Sequence, residues 1–534
     1  MMNEGLRLEW LVAGLLVGSI VAALVARRAV TAFWTLRAMA LTPILSRRLS
    51  RWVKPRSYSD EEFFRADGAA EPWVERRQQG LARLASFLRA RYPRCADWGD
   101  ALRTSFSDLR FTDANRVPFP FARFMRDHFN QCAVVTASDG PRLQDLDGHW
   151  TLDVGGSYGV NVAGFARYKE WMARGLERVQ DLGPVLGPLH PVVAENTTLL
   201  KSVSGLDEVS FHMSGTEAVM AAVRMARFNT RRKLIVCFAG AYHGWWDGVQ
   251  PGLGSERSID DCLTLKDLHE ASLEAIRRRA GEIAGVLVNP VQSFHPNAPP
   301  PSDAILLTSG VRRTEDPSAR YAEWLRRLRA VCDECDVPLI FDEVYTGFRL
   351  APGGAQEFFG VAADMVVYGK TVAGGMPIGV VCGKKALMRR FDAERPMRIA
   401  YVVGTFSAHP VVMGAMNEFL RWGGRALDGA ALHGDERTVR AMGAGHESTP
   451  PRRGVAGAGG APGHGLDGPL QRARPLQLAA PILSTRRGRD VELGRHRPLL
   501  EQHGLHRQGL RGPGHQARRR RPRHEGRRMV AERR

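Results

Sequence analysis

Four unbroken apolar runs punctuate the middle of the chain, each about the length of a strand. They are Leu234-Ile235-Val236-Cys237-Phe238, Gly285-Val286-Leu287-Val288, Pro338-Leu339-Ile340-Phe341 and Met365-Val366-Val367-Tyr368. Runs of this kind predict strands buried on both faces, as in a parallel sheet. Between them the period changes. Apolar positions recur at helical spacing in Val219–Arg227, and Tyr321–Cys335 also predicts a helix. Earlier, residues 137–154 alternate apolar and polar around Asp-Gly turns, a hairpin signature. Strands alternating with helices imply an α/β fold with a mostly parallel sheet.

The strand tips carry the chemistry. One run ends in Asp342, another in Gly369-Lys370. Ligands on open parallel sheets bind beyond the carboxyl ends of the strands, so an acid and an amine are delivered to one crevice. Pyridoxal phosphate needs that pair: a lysine to form a Schiff base and an Asp to keep the pyridine nitrogen protonated. Taken singly, each residue also reads as a solvated charge. Ser214 is a good N-cap, and Gly215 lets backbone approach a ligand closely. A helix starting there would offer an anion site, although an ordinary capped helix has the same sequence. Tyr242 can stack on an aromatic ring or simply pack in a core. Asn289 to Gln292 makes another polar strand tip, and Gly404-Thr405-Phe406-Ser407 a small hydroxyl-bearing turn suited to phosphate.

In order and approximate spacing, several segments resemble one family. They are SGTEAVMAAVRMAR (214–227), AYHG (241–244), DEVYTGFR (342–349), GGAQEFFGV (353–361), YGKTVAGGMPIGVVCG (368–383) and GTFSAHP (404–410). Residues 125–422 resemble the class III pyridoxal-phosphate aminotransferases, closest to the glutamate-1-semialdehyde aminomutase-like branch and its synthase-associated subgroup. The resemblance implies a fold type I large domain, a homodimer and pyridoxal 5′-phosphate as cofactor. It makes Lys370 the Schiff-base lysine and proton shuttle, and Asp342 the partner of the pyridinium nitrogen. Val344 and Tyr242 would cover the two ring faces, and Gln292 would bond the ring hydroxyl. Ser214, Gly215 and Thr216 would bind phosphate, with Thr405 reaching it from the neighbouring subunit. His243, next to the stacking aromatic, is given a local structural part in the cofactor site. Ser157 and Tyr158, in the loop 156–159, are candidate substrate contacts, with an ordinary turn as the plainer reading. Asn289-Pro290 stands where many relatives have Glu-Pro, which removes a charge near the site. Residues 293–320 form an insertion whose Pro-rich, polar composition suggests a surface loop.

The two ends differ from this core. Trp10 to Ala26 is a run of 17 residues without charge, followed at once by Arg27 and Arg28. That is the short edge of a bilayer span, and the positive-inside rule puts the enzyme in the cytoplasm. A signal peptide or a docked soluble helix are the other readings. The expected organisation is a transmembrane anchor at 1–28, a polar and amphipathic linker at 29–124, N-terminal strands and an active-site loop at 125–180, the cofactor-binding large domain at 181–422 and a basic tail at 423–534. After Trp422 no Phe, Trp, Tyr, Lys, Cys or Asn occurs, and residues 424–534 hold 23 Arg against 10 Asp and Glu. Such a composition buries no core and reads as disordered. A shifted reading frame in a GC-rich gene explains it, and a genuine tail for nucleic acid or anionic lipid is the rival. The net charge of +19 therefore says little about partners, and no nucleic-acid partner is expected. Cys332 and Cys335 form a lone C-x-x-C, so no metal is expected.

Together these features imply transfer of an amino group from a small-molecule donor to a keto or aldehyde acceptor, acyl or lipid-like on the synthase resemblance. An intramolecular 2,1-aminomutase is the alternative chemistry. The non-enzymatic alternative is a membrane-tethered remnant without its small domain.

Overall fold

A computed structural model describes residues 2–41, 57–115, 119–129, 132–250, 259–291 and 318–433, together with a few isolated residues and pairs between them. Three short antiparallel strands come first: β1 (Val135–Asp139), β2 (Arg142–Asp145) and β3 (Trp150–Leu152). The expected hairpin is thus a three-stranded sheet, its turns closed by Gly140 and Gly148 at φ 51° and 89°. The central sheet uses β4 (Glu208–His212), β5 (Leu234–Phe238), β6 (Cys262–Leu265) and β7 (Ile283–Val288). A two-residue pair, β8 (Asn297–Ala298) and β9 (Arg313–Thr314), lies within the insertion. The central sheet is completed by β10 (Leu339–Glu343), β11 (Met365–Gly369) and β12 (Gly379–Gly383).

The seven strands run in the order β4-β12-β11-β10-β7-β5-β6. β12 is antiparallel to both its neighbours and the other strands are parallel, so the sheet is mixed. β5, β7, β10, β11 and β12 are buried at every position, as their unbroken apolar runs require. One consequence positions the site. The carboxyl ends of β4, β5, β7, β10 and β11 share one edge, and the residues that follow them converge there.

Helices cover both faces. Gly215–Thr230 packs with Ile235, Leu287, Ile340 and Val367 on one side, and Ser318–Glu334 joins the larger core on the other. The Phe165–Val179 helix crosses Pro410–His433 where Gly175 meets Gly414. A Cβ on Gly175 would lie 2.6 Å from the Ala415 Cα, so only glycine permits this approach.

The N-terminal part departs from the expected division. One helix, Met2–Ala38, runs straight through residue 28, because Arg27 and Arg28 are good helix formers and no breaker follows them. Ala38 and Ala40 are buried, and Met39 pairs with Leu265 on β6, closing the edge of the central sheet. The stretch expected as a linker holds helices at Asp60–Arg65, Glu71–Arg91, Pro93–Ser105, Ser107–Asn115 and Phe119–His128. Phe63, Phe64, Val74 and Phe124 form a small core of their own there. Most of the insertion and the basic tail from 434 onward lie outside the described residues.

Candidate active site

The acid comes first. Asp342, near the end of β10, is 3 % exposed. Its Oδ2 lies 2.7 Å from His243 Nδ1, and its Oδ1 accepts the Val344 N–H at 3.1 Å. With Asp342 ionised, His243 donates from Nδ1. His243 Nε2 is buried and has no hydrogen-bond partner among the described residues. Asn289, at the tip of β7, accepts the Tyr242 N–H at 3.1 Å and donates to the Asp342 carbonyl at 3.4 Å. The neutral residue at 289 therefore ties the β5, β7 and β10 tips together without adding charge beside Asp342.

The amine stands on the neighbouring strand. Asp342 pairs in register with Val367, and Lys370 follows the end of β11. Lys370 has φ 46°, a left-handed conformation that a non-glycine residue adopts at a cost. Burial pulls its pKa below the ordinary lysine value; the Asp342 charge opposes that pull and Arg349 adds to it. Acid and amine thus feel each other's charge across one crevice. Val344, two residues past Asp342, has methyls that would meet a Cβ on Gly215 at 2.7 Å and a Cβ on Gly369 at 3.0 Å.

Gly215–Thr230 starts at the edge of the same crevice. Ser214 is its N-cap, its Oγ accepting the Glu217 N–H at 3.2 Å, while Glu217 Oε2 accepts the Met213 N–H at 2.9 Å. The first-turn amides of Gly215 and Thr216 have no intrahelical acceptors, which suits an anion. The Thr216 side chain fills the space where Gly244 would carry a Cβ. Gly404 lies against Glu217 of the same chain, so the turn with the exposed Thr405 borders this helix start. Gln292 lies outside the described residues.

The loop 156–159 packs on Tyr345, whose ring also faces the amine. Ser157 and Tyr158 are both exposed, at φ 48° and 58°, and Ser157 Oγ bonds Asp153 at 3.1 Å. The Gly159 carbonyl accepts from Arg349, and Gly159 packs on Tyr345. The Arg349 guanidinium lies 4.6 Å, and Lys370 Nζ 5.4 Å, from the Tyr345 ring centroid. Tyr168 Oη accepts the Val162 N–H at 3.1 Å and bonds the hydroxyl of Thr371, next to Lys370. Tyr345, Arg349, Tyr168 and Thr371 escaped the sequence reading. The signal for two of them was present in Tyr345-x-x-x-Arg349, one turn apart.

Glu343, next to Asp342, points away from the crevice. It is 1 % exposed, accepts the Ala355 N–H at 2.6 Å, and its Oε1 has no partner among the described residues. Burial pushes its carboxyl up to about 7, with the Asp342 charge adding to the rise. A carboxyl raised on folding stabilises the fold fully below its unfolded value, and that contribution is lost as pH rises through about 7. Glu343→Gln should remove this dependence. Relative to wild type it should gain roughly 3 kcal/mol between pH 5 and pH 8, because each tenfold change in proton affinity is worth about 1.4 kcal/mol. Urea unfolding at the two pH values checks it. Asp267, also raised to about 7 by burial, contributes equally to both proteins and cancels.

Comparison with known proteins agrees with this geometry. The family described as Aminotransferase class-III matches residues 124–250 and 317–425. The glutamate-1-semialdehyde 2,1-aminomutase of Methanothermobacter thermautotrophicus is 35% identical over 326 residues, which cover 58% of this chain and 70% of that one. That of Methanocaldococcus jannaschii is 34% identical over 285 residues, covering 50% of this chain and 61% of that one. The chain spans less than two thirds of the length of several curated relatives it matches. A crystal structure of a glutamate-1-semialdehyde-aminomutase from Pseudomonas aeruginosa PAO1 matches with a TM-score of 0.50 and 21% identity, over 65% of this chain and 74% of that one, and supports the fold. The protein belongs to the class III aminotransferases, a family of pyridoxal-phosphate-dependent enzymes. Their cofactor is pyridoxal 5′-phosphate. The residues present suit it: a buried carboxylate held from behind by an imidazole, an amine with a depressed pKa, and first-turn amides at a helix start.

Proposed function

We propose that this chain transfers an amino group from a small-molecule amino donor to a keto or aldehyde acceptor. The observation that carries the reading is the convergence of Lys370 and Asp342 from adjacent parallel strands onto one crevice. When bound, pyridoxal phosphate supplies an aldehyde and a ring that draws electron density from the substrate carbon. The chain's own residues do the rest. Asp342 holds a proton on the ring nitrogen, and His243 fixes the carboxylate from behind. Val344 and Tyr242 cover the ring faces. Ser214, Gly215 and Thr216 bind the phosphate, and Thr405 joins them across a homodimer. Lys370 Nζ is neutral at lower pH than a solvated lysine, so it can take up and return the substrate proton. Ser157 and Tyr158, joined to Arg349 through Gly159, border the substrate.

The N-terminal helix adds a location. Its stretch Gly14–Ala38 meets the length and hydropathy of a bilayer span, and the charge-free part of the helix ends at Ala26, before Arg27 and Arg28. Leu15, Leu16, Val17, Ile20, Val21 and Val25 are all exposed on it. Anchoring by this helix, with Arg27 and Arg28 on the cytoplasmic side, places the site in the cytoplasm.

The test is purified protein loaded with cofactor. A visible absorbance band that changes on adding L-glutamate or L-alanine, and returns on adding a keto acid, supports transfer between molecules. The names of the relatives favour a second reading, 2,1-exchange within one molecule. Turnover of glutamate-1-semialdehyde without any second substrate would select it. Absence of any band would overturn both and leave a non-catalytic, membrane-tethered chain.

A further inference from the structure

The N-terminal helix meets the catalytic domain at a basic groove. Leu24, Arg27, Arg28 and Thr31 form one wall of a cleft of about 630 Å³. Arg278 and Arg279, at the end of the Glu270–Arg279 helix, form the other, with Glu282 beside them. The volume falls in the range of small-molecule sites. Its charge is unbalanced. Glu282 is held by Arg279 at 2.6 Å, and Glu274 takes Arg278 at 2.6 Å. Among the described residues no carboxylate pairs with Arg27 or Arg28, and both are exposed. Two guanidiniums on successive helical residues therefore face a cleft that already holds two more.

Height is the second argument. The last large exposed apolar side chain before the two arginines is Val25, with Val30, Phe33 and Leu36 exposed again beyond them, and a helix rises 1.5 Å per residue. Arg27 and Arg28 then stand about 3–5 Å beyond the hydrocarbon edge, inside a headgroup layer about 5–8 Å thick. Leu24 lies one turn deeper, where the glycerol and upper acyl carbons of a lipid would lie. Guanidiniums bind phosphate oxygens with paired N–H donors, and basic pockets beside membrane helices on the cytoplasmic side suit anionic headgroups.

We infer that this groove is a binding site for the phosphate of an anionic phospholipid, one that seats the catalytic domain on the membrane. The inference rests on the reading that the helix spans a bilayer. The test uses the full, cofactor-loaded chain in nanodiscs of phosphatidylcholine carrying a small fraction of spin-labelled phosphatidylglycerol or spin-labelled phosphatidylcholine. Electron paramagnetic resonance reports the immobilised fraction of each label. Phosphatidylglycerol should associate on the order of 25-fold more strongly, from two unpaired arginines at roughly fivefold each. The preference should fall toward one-fold in Arg27→Gln/Arg28→Gln, while immobilised phosphatidylcholine stays unchanged. Equal association of the two labels in wild type overturns the inference and leaves the anchor standing, as does a preference that survives in the variant. A chain that stays out of the nanodiscs overturns the anchor, and the inference with it.

Discussion

Lys370→Ala should leave cofactor-treated protein without the visible band and lower amino transfer by about 10²–10⁴-fold or more, the range for a lost general acid–base group. Among the described residues no other lysine is placed to substitute. Lys370 follows β11 at the crevice, whereas Lys384 is tied to Asp364 at 2.6 Å at the far end of the antiparallel β12. The loss should be chemical and not structural. Alanine keeps a Cβ, so the φ of 46° costs both residues alike, and the half-buried amine removed is one that burial already disfavours in its charged form. Thermal unfolding of the apo variant should therefore stay within a few degrees of wild type. Lys370→Arg should fail as completely, since a guanidinium stays charged and offers no neutral amine. A Lys370→Ala protein that keeps its band and its turnover would remove the residue from the reaction.

Much of this arrangement is legible in the chain because strands buried on both faces write their own boundaries. An apolar run that stops at Asp342, and another that stops at Gly369-Lys370, announce both the strands and the crevice. The helix start at Ser214 is equally local, a cap and a glycine in sequence. What stays hidden is pairing at a distance. His243 and Asp342 are 99 positions apart, Tyr168 and Thr371 203 apart, and no local pattern ties either pair. The N-terminal third hides for another reason. Its helices are rich in Arg and expose Trp73, Trp98 and Phe111, so their apolar stripe is narrow and the composition looks like a linker. The four aromatic and aliphatic side chains of its small core come from three different helices. Similarly, Asn289 reads as a departure from the family, yet it joins three strand tips by hydrogen bonds that a sequence cannot display.

Asp342→Asn should lower amino transfer by about 10²–10³-fold while the visible band persists, separating the two halves of the site. An amide carries no charge to hold a proton on the ring nitrogen, and removing one preorganised electrostatic partner costs on that order. The band persists because Lys370 is untouched. Its position on the pH axis should still move. The Asp342 charge raises the Lys370 pKa against the effect of burial, so its removal should depress that pKa further. Band formation from apo protein and cofactor should then proceed at lower pH than in wild type, which stopped-flow absorbance at several pH values reads directly. His243→Ala attacks the same carboxylate from behind. It leaves Oδ2 buried without its partner, at a cost of about 1–3 kcal/mol, and lets the carboxylate swing from the orientation that the Val344 N–H and His243 now fix together. Its effect on transfer should be smaller than that of Asp342→Asn. In the double variant the His243 change should add little, because its only described polar partner has already lost its charge. Fully additive losses would mean that His243 acts on something other than Asp342.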